Sequence, residues 1–413
     1  MPTPNEPTSS PSRSTPPAPS GSGADGLFKN PYFARRVPEL DGLRGIAILL
    51  VVVWHYVAIA LPPPSGPLGA ALRRPLLLAW SGVDLFFVLS GFLIGGILLD
   101  VARSPRYFTT FYARRFHRIF PLYYLFLVTF FVGCALVGPS AAAHVKKLFN
   151  LELPPWCYPL YLQNVFMTTR QTFGGEWVGV TWSLAIEEQF YLLLPLAVRA
   201  LRPKTLALVV AAAVVAAPAL RLALTPTNPF FGPYTLLPCR ADALGLGVLA
   251  ALVTRTERGW AFLHAHRRAL VYALGPLFVG VVFLTGHAQG RLMNGPGYTW
   301  LAAFYACVLL LSVVEPGPVA RAVLRSRLLQ ELGVVAYGVY LLHMGVNAAV
   351  HAAFLGAAPK IDGVRSLAAT ALAALVTFVV AKLSWRFFEK PLVARGQARF
   401  RYDGPTDRGV ARS

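Results

Sequence analysis

The stretch that decides the fold is Leu40–Tyr56, LDGLRGIAILLVVVWHY. It reads as an apolar helix with a cation near its entrance, Arg44, and an imidazole deep inside, His55. At about 100° per residue, the steps between them make roughly three turns, which puts the two side chains on one face about 16 Å apart. A polar group in a membrane-length helix is costly, and it faces a protein interior or a water-filled cavity. A histidine satisfied by a neighbouring helix, with Arg44 snorkelling to an interface, leaves the same trace. The rest of the chain must therefore supply the deciding partners.

Working outward, the 413 residues are 55% hydrophobic and 14% charged, and apolar runs near membrane length recur along most of the chain. This composition predicts an all-α polytopic membrane protein with about ten transmembrane helices. They fall near 41–61, 80–100, 117–138, 182–200, 204–223, 239–254, 268–286, 298–315, 332–356 and 366–388. The net charge of +20 sits in short connections between these runs, so it reads as a topology signal and not as a nucleic-acid footprint. Connections on the side of Arg103, Arg114, Arg202, Arg258 and Arg325 outweigh the others in Lys and Arg by more than two to one. Both termini are therefore expected in the cytoplasm of a multi-pass cell-membrane protein.

Residues 1–36 are rich in Pro, Ser and Gly and are expected to form a disordered tail; 37–392 form the transmembrane domain and 393–413 a basic cytoplasmic tail. The first apolar run starts only near Leu43, so no cleavable leader is expected. Cys134, Cys157, Cys239 and Cys307 are scattered without CxxC spacing, and neither a metal site nor a disulfide framework is expected. The connection from Gly138 to Thr181 is too long and aromatic for a plain linker. It is expected to carry a re-entrant or interfacial piece near Tyr158–Met167 that could lid an outward-facing cavity.

Depth along the helices sorts the candidate residues. GVDLFFVLSGFLIGG places Asp84 near one end of the second run and Ser90 mid-membrane; TWSLAIEEQFYLLLP places Glu187 and Glu188 beside them in depth. A histidine and three carboxylates thus come to comparable levels, with one glutamate turned inward and the other away. The run FYARRFHRIFPLYY sets Arg115 and Arg118 three apart on one face, level with Arg44. Three guanidiniums aimed at one place suit a polyphosphate, because their forked donors match phosphate oxygens. LLPCRADALGLG adds Arg240 and Asp242, and VVAYGVYLLHMGV adds Tyr337, Tyr340 and His343. Glu188, Arg240, Asp242 and His343 are the candidate acceptor-binding residues. Arg386 and Glu389 are expected to form a structural pair or lock, and SGFLIGG is expected to serve close helix packing.

An anion-binding rim with an imidazole about three turns above it suits a phosphorylated donor whose thin reactive arm threads into the membrane. The expected reaction is acyl transfer from acyl-CoA to a hydroxyl. His55 acts as general base, Glu187 or Asp84 orients its ring, and Arg44, Arg115 and Arg118 hold the phosphates. Direct transfer is expected, with Ser90 the weaker option for a covalent carrier.

These pieces together make the sequence similar to the acyltransferase 3 family of integral-membrane O-acyltransferases. The resemblance runs over about residues 37–392 through the Arg44–His55 spacing, GVDLFFVLSGFLI, ARRFHRIFPLYY, WSLAIEEQFYLLLP, LPCRADALGLG, AYGVYLLH and WRFFEKP. It implies ten core helices, an acyl-CoA donor (acetyl-CoA foremost) that is not tightly bound, and functional roles for Arg44, His55, Arg115 and Arg118. It also implies acceptors such as surface-polysaccharide sugars, lipid-linked glycans or macrolide-type products; the placement of the charges in the connections separately predicts no nucleic-acid partner. Relatives often carry Ser where this chain has Ala336, and many carry a hydrolase-like domain after the last span. The rival reading is a proton- or anion-coupled transporter, which buried His and carboxylates would also serve. Against it stand the absence of an internal repeat and the concentration of the arginine rim on one side.

Overall fold

The computed structural model describes residues 27, 30–64, 66–285 and 290–402. The expected N-terminal tail therefore falls mostly outside the described residues, as does the end of the basic C-terminal tail.

The described chain is helical. Its long helices are α1 (Pro38–Val53), α2 (Gly82–Asp100), α3 (Tyr107–Leu136), α4 (Trp182–Ala200), α5 (Pro203–Leu224) and α6 (Leu237–Val253). They continue with α7 (Arg267–Thr285), α8 (Tyr298–Val314), α9 (Arg327–Leu355), α10 (Val364–Ser384) and the shorter α11 (Lys390–Arg399). Among the described residues, nine helical stretches are long and apolar enough to cross a membrane. The expected run at 182–200 is the one not among them. It is a helix of 19 residues, α4, but it carries Glu187, Glu188 and Arg199. Glu187 and Glu188 are half-buried against neighbouring helices, which stabilise them where lipid would not, and Arg199 is exposed at the end of the helix.

Small residues set the close crossings. A Cβ on Gly91 of α2 would overlap the Leu244 carbonyl of α6, and one on Gly247 of α6 would overlap the Val88 carbonyl of α2. Each glycine thus lets the other helix's backbone approach, as the SGFLIGG run anticipates. At the base of α1, a Cβ on Gly45 would meet the Leu329 carbonyl and one on Gly333 of α9 would meet that of Asp41. The glycines of LDGLRG therefore seat Arg44 beside α9.

Helix α1 does not run straight to Tyr56. Its end opens into a π turn, Trp54–Ala58, which carries His55. The turn is pinned by the buried Tyr56, whose hydroxyl donates to the His343 carbonyl at 2.7 Å and meets the Thr377 hydroxyl at 2.7 Å. One extra residue in a turn changes the direction of every side chain beyond it, and such turns recur at functional sites.

The connection between α3 and α4 is folded, with short helices at Ala143–Leu148, Gln163–Arg170 and Glu176–Gly179. Trp177 packs edge-on against Phe126 and Phe130, and its indole N–H donates to the Leu341 carbonyl at 3.2 Å. Gln163 donates to the Thr181 carbonyl at 3.0 Å and to the Tyr123 hydroxyl at 3.2 Å. The segment is thereby held against the middle of α3 and α9 and the start of α4.

At the opposite end, the chain after α11 lies along the start of α3. Arg114 donates to the Phe400 carbonyl at 2.9 Å and covers the Tyr402 ring at 4.9 Å, and Thr110 donates to the Arg401 carbonyl at 3.0 Å. Arg386 and Glu389 form no ion pair among the described residues. Glu389 is buried and accepts from the Ser384 hydroxyl at 2.9 Å, while Arg386 covers Phe387 at 5.4 Å.

Candidate functional site

Two cavities lie end to end inside the bundle. The first, of about 270 Å³, is lined by Arg44 of α1, Ser90 of α2, Arg115 and Arg118 of α3, Glu187 and Tyr191 of α4 and Tyr337 of α9, among others. The second, of about 580 Å³, is lined by His55, Trp80, Trp182, Tyr234, Tyr298 and Asn347, together with residues of the α3–α4 connection such as Phe173 and Glu176. Val83 and Tyr340 belong to both walls. Tyr340 is held there by its hydroxyl, which donates to the Val180 carbonyl at 2.7 Å and meets the Ser183 hydroxyl at 2.5 Å.

In the first cavity the spacing of Arg115 and Arg118 turns both toward Arg44, while the adjacent Arg114 is held by the C-terminal segment. Among the described residues none of the three has a carboxylate within ion-pair distance or a protein acceptor for its guanidinium. Arg115 is packed between the rings of Phe111, at 5.8 Å, and Tyr191, at 5.7 Å. The polar side of this cavity is completed by a relay: the Tyr191 hydroxyl lies 2.7 Å from that of Ser90 and donates to Glu187 at 3.2 Å. Tyr191 was not singled out in the sequence. The signal was its place four residues after Glu187, one turn along the same face.

In the second cavity the hydrogen bonds assign the histidine tautomers. His55 Nδ1 lies 2.9 Å from the Val51 carbonyl, and His343 Nδ1 lies 2.7 Å from the Tyr340 carbonyl. A carbonyl only accepts, so both Nδ1 atoms carry the proton and both Nε2 atoms carry a lone pair. The lone pair of His343 Nε2 faces His55 Nδ1 at 3.4 Å, with the two rings in an edge contact at 4.9 Å. His55 Nε2 is then the basic nitrogen.

The structure brings some expected residues together and separates others. Arg44, Arg115 and Arg118 share one cavity, as the spacing indicates. Glu187 joins them, one level away from His55, because α4 turns it toward Ser90 and Tyr191. Glu188 lines neither cavity. Asp84, expected to orient His55, is ion-paired with Arg240, whose guanidinium lies 4.3 Å over the Tyr298 ring; both are buried and line neither cavity. Asp242 accepts from Arg221 at 2.8 Å and from Thr299 at 2.6 Å, again fully buried. His343, expected at the acceptor, is fully buried behind His55 and is the ring that touches it. Asp84 and Arg240 meet because α6 crosses α2 so closely at Gly91 and Gly247 that polar residues on the facing sides reach one another before they reach a cavity.

A model of an acyltransferase domain, acyltransferase 3, matches residues 37–386. The chain is similar to the peptidoglycan O-acetyltransferase OatA of Listeria monocytogenes, 25% identical over 390 residues, covering 88% of this chain and 57% of that protein. It is also similar to the O-acetyltransferase OatA of Staphylococcus aureus, 26% identical over 395 residues, covering 90% of this chain and 59% of that protein. The chain thus spans less than two thirds of the length of these relatives. No solved structure matches it. With the family model running from the base of α1 to the end of α10, the chain belongs to the acyltransferase 3 family of membrane proteins.

Proposed function

We propose that this chain is a membrane O-acyltransferase that moves an acetyl group from acetyl-CoA to a hydroxyl of a glycan. The observation that carries the reading is the set of three guanidiniums, unengaged by protein acceptors among the described residues, in a cavity that shares a wall with that of His55. Arg44, Arg115 and Arg118 take the phosphates of the donor by forked hydrogen bonds, which places this end of the bundle and both termini at the cytosolic face. The acyl end of the donor lies past Val83 and Tyr340, against His55. The aromatic second cavity takes the acceptor. The name of the Listeria monocytogenes relative, a peptidoglycan O-acetyltransferase, supports a hydroxylated glycan over a macrolide.

The chemistry needs no covalent enzyme intermediate. His55 Nε2 removes the proton of the acceptor hydroxyl, and that oxygen attacks the thioester carbonyl carbon. As the tetrahedral intermediate collapses, the C–S bond breaks, and the CoA thiolate leaves and takes the proton from His55. Val51 and His343 keep the ring turned and its Nδ1 protonated, the task that a carboxylate performs in a triad. Glu187 stays with the arginines and Tyr191, where it limits repulsion among three cations.

The test uses purified protein in nanodiscs with radiolabelled acetyl-CoA. Wild type is expected to release CoA slowly without acceptor and faster with glycan acceptors, and His55→Ala is expected to lose both. Well-folded wild type that neither binds nor cleaves acetyl-CoA overturns the reading.

A further inference from the structure

The acceptor cavity holds a buried side-chain amide that the mechanism above does not use. Asn347 is 3% exposed, lines the same cavity as His55, and its Oδ1 has no hydrogen-bond partner among the described residues. It lies four residues after His343 and seven after Tyr340, so α9 aligns all three on one face in successive turns. Two other polar sites of this wall are engaged within the protein: Lys147 pairs with Glu176 at 2.6 Å, and Tyr340 is bonded to Val180 and Ser183. A buried amide oxygen without a partner costs about 1–3 kcal/mol, and in a cavity open to a ligand that cost is relieved when the ligand supplies a donor. In the same cavity Trp182 and Tyr234 pack at 4.4 Å and, with Trp80 and Phe230, supply aromatic surface suited to the C–H face of a saturated ring.

Resting on the acyl-transfer reading, we infer that Asn347 reads a second hydrogen-bonding substituent of the acceptor, on a ring that lies against the aromatic wall while its reacting hydroxyl meets His55. The acceptor class is therefore a saturated ring with a hydroxyl or acylamino group near the hydroxyl that is acylated. Asn347 is a specificity residue, and its carboxamide both accepts from and donates to that neighbour. A site built to bond a substituent rejects the analogue that lacks it, because the buried group is left unpaired.

The experiment measures acetyl transfer from acetyl-CoA to methyl β-D-glucopyranoside and its four monodeoxy analogues, with wild type and Asn347→Ala in nanodiscs. One deoxy position is expected to abolish transfer, being the reacting hydroxyl. A second is expected to lower kcat/KM about tenfold in wild type, and this penalty should collapse toward one in Asn347→Ala. The same relative penalties in variant and wild type overturn the proposal, and so does the absence of transfer to any of these sugars by wild type that still releases CoA from acetyl-CoA. Wild type that does not cleave acetyl-CoA at all fails at the underlying reading instead. Should Asn347→Ala not fold, Asn347→Ser serves: it shortens the group out of reach, and an unchanged penalty pattern overturns the proposal equally.

Discussion

Two regions of this molecule place arginine and carboxylate inside the bundle, and they do opposite things with them. Where α2, α5 and α6 meet, Arg240 pairs with Asp84 and Arg221 with Asp242, all fully buried and covered by the rings of Tyr298 and its neighbours. Where α1, α3 and α4 meet, Arg44, Arg115 and Arg118 line a cavity with no carboxylate within ion-pair distance among the described residues. The first cluster neutralises itself and locks helices. The second leaves its positive charge facing a space of about 270 Å³, the place of the donor phosphates in the proposed reaction. In a membrane protein a buried charge therefore marks a site by what it lacks.

The sharpest way to break this contrast is at the base. His55→Ala should lower acetyl transfer by about 10²–10⁴-fold, the usual contribution of a positioned general base, while the protein elutes and melts as wild type. Retained transfer would leave the second cavity without its chemistry. Next comes the self-neutralised cluster. Arg240→Met alone leaves Asp84 buried and unpaired and should cost about 3–5 kcal/mol of stability. Arg240→Met combined with Asp84→Leu should recover most of it, read as the thermal unfolding midpoint in detergent. A single variant that melts normally but loses transfer would move Arg240 from the lock to the site.

The arginine cavity predicts the converse. Arg118→Ala should raise the KM for acetyl-CoA about 10- to 100-fold, the worth of one charge-assisted contact, with unfolding unchanged and the acceptor KM unaffected. An unaltered donor KM and turnover would remove the phosphates from this cavity. The smallest effect belongs to the residue behind the base. His343→Ala should lower kcat about tenfold with little change in either KM, and His343→Gln, whose side-chain carbonyl can accept from His55 Nδ1, should recover part of it. Equal activity of all three proteins would show that the Val51 carbonyl alone suffices to orient His55.

Much of this was legible along the chain. Membrane-length apolar runs mark nearly every long helix, since hydrophobic length is a property of local sequence. The three-residue step between Arg115 and Arg118 and the position of Arg44 bring three cations to one level by helix geometry alone. The glycines of SGFLIGG announce a close crossing. What misled was depth used as a proxy for contact. Asp84 and Glu187 stand at heights compatible with His55, yet neither hydrogen-bonds to it. Height along a helix says nothing of azimuth, and the π turn at Trp54–Ala58 changes the azimuth of His55 itself.

The sequence by itself determined a helical membrane bundle, an arginine level and an imidazole level, because periodicity and hydrophobic length act within a single helix. The tertiary structure decided which charges annul each other and which stay open, that a second histidine and not a carboxylate backs the first, and that Asn347 faces the same cavity. Those are choices between helices distant in sequence. They are made by close backbone crossings such as Gly91 against Gly247, and these decide which faces meet.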